Sequence, residues 1–174
     1  ILRRGIRELT EILLELNRQI FIETPPTIFV TAFTGIVNKN TNEVTYCSAG
    51  HLKPVLCRSG KDKIEILEGG GLPVGMDDND IFSETITVRK IQLKTGDIFF
   101  QYTDGVSEAM DNSRNLFGEE RMYDEIKKYS RKKPDFMITK IAEAVEEFTG
   151  KMIINSSISE LNDDIAMIAL KRIK

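Results

Sequence analysis

An α+β fold is what this sequence predicts, and three observations predict it. Apolar residues recur at helical spacing near the start, then short β-rich runs follow at close intervals, and two further helical stretches precede a last apolar run. Hairpin-sized gaps between the β-rich runs favour antiparallel sheets over strand–helix–strand units.

Residues 1–22 read as a helix. Leu2, Ile6, Leu9, Leu13, Leu16 and Ile20 recur at spacings of three and four, while Arg3, Arg4, Arg7, Glu8, Glu11 and Glu15 occupy other faces. Packing on a sheet is the first explanation of such a stripe. A two-helix seam is the second, which leaves a homodimer open. Pro25-Pro26 closes the helical region. Strands are expected over 28–37, 44–48, 54–58, 64–67, 83–92 and 98–102, with Asn38, Asn40 and Asn42 in the first turn and Gly96-Asp97 in the last. Helices are expected over 119–129 and 135–149, the second introduced by Pro134 and closed by Gly150, before a final strand over 165–172.

The chain has 174 residues, of which 41% are hydrophobic and 29% charged, with a net charge of −3. That is enough for one domain with a substantial core, and a single domain over residues 1–174 is expected. Lys and Arg are scattered rather than gathered in a stripe, so nucleic acid is not expected as a partner. No apolar run approaches the roughly 18 residues of a membrane span. Cys47 and Cys57 each lie in a strand-like run. With Gly50-His51 as the hairpin turn between those runs, the two thiols are not opposite each other, so no disulfide and a cytoplasmic setting are expected.

Two acidic corners stand out. Asp104 follows the apolar run Ile98-Phe99-Phe100 in Gln101-Tyr102-Thr103-Asp104-Gly105, and Glu108 comes one helical turn later. Asp163-Asp164 opens the last apolar run. Asp-Gly alone is a favoured turn pair, and paired acids often begin a solvated strand. Together, at the ends of two strands that could be antiparallel neighbours, they offer the oxygen ligands that a hard divalent cation takes. Other acids argue for less. Asp77-Asp78-Asn79-Asp80 and the stretch from Asp111 to Met122 lack the glycine and terminal glutamate of a calcium loop. Gly69-Gly70-Gly71 has no following Gly-Lys-Ser/Thr. His51 is expected to serve the turn, and the basic residues Lys127, Lys128, Arg131, Lys132 and Lys133 a solvated face.

Seven short stretches, in order, resemble a known family. They are Phe29-Val30-Thr31-Ala32-Phe33, Ser48-Ala49-Gly50-His51-Leu52-Lys53-Pro54, Gly71-Leu72-Pro73-Val74-Gly75, Gly96-Asp97, Tyr102 to Ala109, Leu116-Phe117-Gly118-Glu119-Glu120-Arg121 and Asp163-Asp164-Ile165. Together they are similar to the SpoIIE/RsbU-type branch of the bacterial metal-dependent type-2C serine/threonine protein phosphatases. The resemblance implies a sandwich of two antiparallel β-sheets flanked by helices. It implies two Mg²⁺ or Mn²⁺ ions in the complete domain, and a metal-activated water attacking phosphoserine or phosphothreonine. By the same resemblance Asp104 and Asp163 are metal ligands, with Glu108, Asp164 and Gly105 accessory and no catalytic residue beyond the ligands.

The implied partners are a phosphorylated STAS-type regulatory protein, an anti-sigma-factor antagonist, and an upstream sensor or receiver domain. One departure matters. The family's Gly-Asp-x-x-Gly-His-Gly motif, which supplies the Asp bridging both metals, is absent from these 174 residues. The expectation is an N-terminally truncated domain, inactive by itself, belonging to an active parent. The alternative is a non-catalytic, phosphatase-like module for binding or dimerisation.

Overall fold

The computed structural model describes residues 9–61, 63–78, 80–153 and 163–173. In chain order the elements are α1 (Leu9–Glu23), β1 (Ala32–Asn38), β2 (Glu43–Ala49), β3 (Val55–Cys57), β4 (Ile64–Ile66), α2 (Asp80–Thr85), β5 (Arg89–Gln92), β6 (Ile98–Tyr102), α3 (Asp104–Ser107), α4 (Glu119–Tyr129), α5 (Pro134–Thr149) and β7 (Met167–Lys171). The chain forms two compact units, and each is assembled from two separate lengths of sequence. Each unit holds one antiparallel sheet and helices, which is the mixed fold that the sequence pattern predicts.

The first unit comprises residues 1–53 and 68–93. Its sheet has the order β1-β2-β5. The β1–β2 hairpin pairs Thr34 with Cys47 and closes on an asparagine turn, where the Asn38 side chain accepts the amides of Asn40 and Thr41 and Asn42 takes φ 58°. Asparagine tolerates that left-handed conformation better than most residues. Leu9 and Leu13 of α1 are buried with Cys47, Ala49, Val74, Phe82 and Ile86, and Leu16 and Ile20 pack against that cluster. These are positions of the expected apolar stripe, so its packed explanation is sufficient over 9–23. Residues 1–8 of the expected helix lie outside the described residues. Asn17, wholly buried on the same helix, donates to the Asp77 carbonyl and accepts the Gly75 amide, both at 2.7 Å. A buried amide satisfied on both sides pins the 75–77 turn to α1.

Two expectations fail in this unit. The strand expected over 83–92 is a helix in its first part, and only Arg89–Gln92 is extended. The Asp77 carboxylate accepts the Phe82 amide at 2.8 Å, so a helix start is capped by a residue outside the expected strand, and Phe82 turns into the core. Residues 44–48 and 54–58 do not form a hairpin around Gly50-His51 either. β2 pairs with β1 and β5, whereas β3 pairs with β4 and β6 in the other sheet. Both cysteines are nonetheless buried free thiols. His51 has a structural environment, its Nδ1 lying 3.2 Å from the Thr31 hydroxyl and its carbonyl accepting from Ser48.

The second unit comprises residues 54–67 and 94–174, with sheet order β4-β3-β6-β7. β6 is flanked on both edges, and all five of its residues are buried. That explains the unbroken apolar run at 98–100, since a strand covered on both faces does not alternate. The turn before it is built on Asp97, which is 1% exposed. Its carboxylate accepts the amides of Ser59 and Lys94, both at 2.9 Å, and the Arg58 guanidinium at 2.7 Å. Burial raises its pKa, but the two amides and Arg58 outweigh burial and hold it below the usual carboxylate value.

Helices α4 and α5 bury Met122, Ile126, Met137, Ile141 and Val145, and α5 opens on Pro134 and ends at Gly150 with φ +70°, as its sequence signals require. The 116–121 stretch has a packing role. Arg121 donates to the Phe117 carbonyl at 2.7 Å and stands 4.8 Å over the Phe148 ring, against which Phe117 packs edge-on.

Candidate metal centre

Both acidic corners lie in the second unit, and the sheet brings them together. β6 and β7 are antiparallel with Tyr102 opposite Met167, so the end of one strand faces the start of the other. The pairing continues past the strands. The Thr103 amide donates to the Ala166 carbonyl at 3.0 Å. The Thr103 hydroxyl then donates to the Asp164 carbonyl and accepts the Ala166 amide, each at 2.9 Å. One side chain thus joins segments 61 positions apart.

Gly105 supports the same closure. A Cβ at that position would stand 2.4 Å from the Asp164 carbonyl oxygen and 3.3 Å from that of Asp163, so only glycine admits so close an approach. Its φ is unremarkable, and the requirement is one of space.

Asp104 begins α3, and the Glu108 amide donates back to its carbonyl at 2.7 Å. Asp163 accepts the Asp164 amide through Oδ1 at 2.7 Å, which orients its carboxylate. Asp104, Glu108, Asp163 and Asp164 are all exposed, and among the described residues none of them has a basic partner within an ion pair. Unpaired carboxylates anchored by backbone bonds are the right donor type for a hard cation. Among the described residues no three His, Cys, Asp or Glu side chains gather in an arrangement that could hold a metal ion. The structure therefore brings the two corners together at the level of the backbone, with no third such side chain beside them among the described residues.

Behind the corner, the Tyr102 hydroxyl donates to Glu119 at 2.7 Å and Tyr123 donates to the other Glu119 oxygen at 3.0 Å. This ties the end of β6 to the first turn of α4. Burial first, then these neighbours, push the Tyr102 hydroxyl pKa far up, so it stays protonated. Burial likewise pushes the Cys47 thiol up, away from the thiolate. The acid loops set aside above have structural work. Asp111 accepts the amides of Ser113 and Asn115 at 2.8 Å and organises its own turn.

Thr103 is the bridging residue that spacing and composition do not single out. It sits inside the quoted stretch, but its partners lie across the sheet.

The model of the family described as stage II sporulation protein E (SpoIIE) matches residues 1–173. The chain belongs to the SpoIIE family. Protein IcfG of Synechocystis sp. (strain ATCC 27184 / PCC 6803 / Kazusa) is 26% identical over 145 residues, which is 83% of this chain and 21% of IcfG. Among solved structures, the RsbU and RsbW domains of Rv1364c from Mycobacterium tuberculosis match with a TM-score of 0.74 at 23% identity, over 97% of this chain and 43% of that one. The phosphatase domain of the cell fate determinant SpoIIE from Bacillus subtilis, presoaked with Mn, matches with a TM-score of 0.59 at 18% identity, over 98% of this chain and 68% of that one. The chain thus spans about a fifth of the curated relative it matches, 21%. At these identities the structural likenesses establish the fold, a SpoIIE-type phosphatase-domain fold.

Proposed function

We propose that this chain is the core of a metal-dependent protein serine/threonine phosphatase domain. Its substrate class is a phosphoserine or phosphothreonine on a STAS-type regulatory protein, an anti-sigma-factor antagonist, in bacterial cytoplasmic signalling. An upstream sensor or receiver domain would control it. The observation that carries the reading is the Thr103 clamp, which holds the Asp104 and Asp163 corners side by side with their carboxylates unclaimed by any described base. SpoIIE-family membership and the RsbU neighbour support the substrate class without testing it.

In this reading Asp104 and Asp163 each contribute a carboxylate oxygen to the cation. Asp163 presents the oxygen not used by the Asp164 amide, and Glu108, one turn beyond Asp104, is the accessory acid. Asp164 contributes its carbonyl to the clamp, and Gly105 the space. Held there, Mg²⁺ or Mn²⁺ would supply positive charge opposite the phosphoryl oxygens and would acidify water.

The Gly-Asp-x-x-Gly-His-Gly motif is absent from the 174 residues, and no third acid joins the corner among the described residues. That favours a second statement about this chain alone: it binds the ion weakly and does not turn over substrate. Hydrolysis of a phosphate ester with Mn²⁺ tests both. A longer protein carrying this domain is expected to be active and to lose activity by orders of magnitude in Asp104→Asn or Asp163→Asn. The 174-residue chain is expected to be inactive. Parental rates in both variants would refute the ligand assignment, and turnover by the short chain would refute its incompleteness.

A further inference from the structure

The basic run between α4 and α5 takes part in a concave site at the other end of the second unit's sheet. Strand β7 enters beside Tyr102 and leaves beside Ile98, so Lys171 stands four residue steps, roughly 13 Å, along the sheet from Met167, at the end away from the acidic corner. There a polar pocket of about 350 Å³ is lined by Ser59, Gly60, Lys61, Ser130, Arg131 and Lys171, among others. Lys171 donates to the carbonyls of Ser130 and Lys132 at 2.6 and 2.8 Å. An ammonium has three N–H donors, so those two bonds fix its position and leave one donor.

Lys61 and Arg131 line the same pocket from the β3–β4 and α4–α5 connections. Among the described residues neither of them, nor Lys171, has a carboxylate partner in an ion pair. Asp97, close by in sequence to the pocket wall, is already saturated by Arg58 and two amides, so it offers these cations little compensation. Gly60 adds an open wall, since a Cβ there would meet nothing within 4 Å. Surface lysines usually face open water, but these cations converge on a concavity from two connections and a strand end distant in sequence.

We propose that this pocket binds a phosphoryl dianion, either free phosphate or the phosphoryl group of a phosphorylated protein. Arg131 supplies the planar fork, Lys61 and Lys171 the point charges, and the Ser59 hydroxyl a neutral donor. The site is independent of the acidic corner and of the function proposed for it.

Titration of the chelator-treated 174-residue chain with inorganic phosphate at low ionic strength, followed by calorimetry, tests this. Saturable binding is expected to persist in the Asp104→Asn/Asp163→Asn variant and to weaken about tenfold or more in Lys61→Gln/Arg131→Gln, two exposed substitutions that leave the Lys171 bonds in place. It is also expected to weaken with added salt. A phosphoserine peptide binding at least about tenfold tighter than phosphate identifies a phosphoprotein source, and equal affinities identify the free anion. No saturable phosphate binding, or binding unchanged in Lys61→Gln/Arg131→Gln, overturns the proposal.

Discussion

Thr103 and Gly105 decide whether two acidic corners become one rim. Replacing Thr103 by Val keeps the shape and removes the hydroxyl, leaving the Asp164 carbonyl and the Ala166 amide without that partner. The expected loss is about 1–3 kcal/mol in urea unfolding, with Thr103→Ser retaining most of the stability because the hydroxyl survives. Equal stability of the Val variant would remove the clamp from the account. Gly105→Ala places a methyl 2.4 Å from a backbone oxygen, so the corner must open, at about 1–3 kcal/mol and with weaker Mn²⁺ binding than wild type. Asp104 and Asp163 were legible as residues at the ends of apolar runs. Thr103 was not, because a threonine at a strand's end has the same local propensity whatever lies across the sheet.

Among elements, the turn into β6 depends on Asp97. Its folded-state pKa lies below the ordinary 3.8, so its contribution is fully present above that value and is lost as pH falls through it into the depressed range. Acid unfolding should therefore steepen below about pH 4, and Asp97→Asn should be less stable at pH 7, by about 3 kcal/mol, with a shallower acid dependence. Chemical denaturation from pH 7 to 3 reads both effects, and parallel curves for the two proteins would contradict the assignment. The buried pair was invisible in sequence, since Arg58 is 39 positions from its partner. The helix within residues 83–92 was hidden in a similar way. A short β-rich run suggested a strand, while the Asp77 cap that starts α2 lies upstream of that run.

For the whole molecule, element order was legible because helical and strand periods differ, and the family stretches recur in order. Pairing was less so. Short gaps suggested that residues 44–48 and 54–58 were a hairpin, but Gly50 hands the chain from one sheet to strands of the other. By contrast the β6–β7 pairing was within the reading, because an apolar run ending in an acid and one opening on acids suit antiparallel neighbours. The ligand set is the part that neither the pattern nor the described residues complete.

Mn²⁺ titration of the 174-residue chain, followed by water proton relaxation, addresses it directly. One weak, saturable ion is expected in the wild-type chain and none in Asp104→Asn/Asp163→Asn of unchanged circular dichroism. Identical titrations of the two proteins would mean that the acidic rim holds no metal.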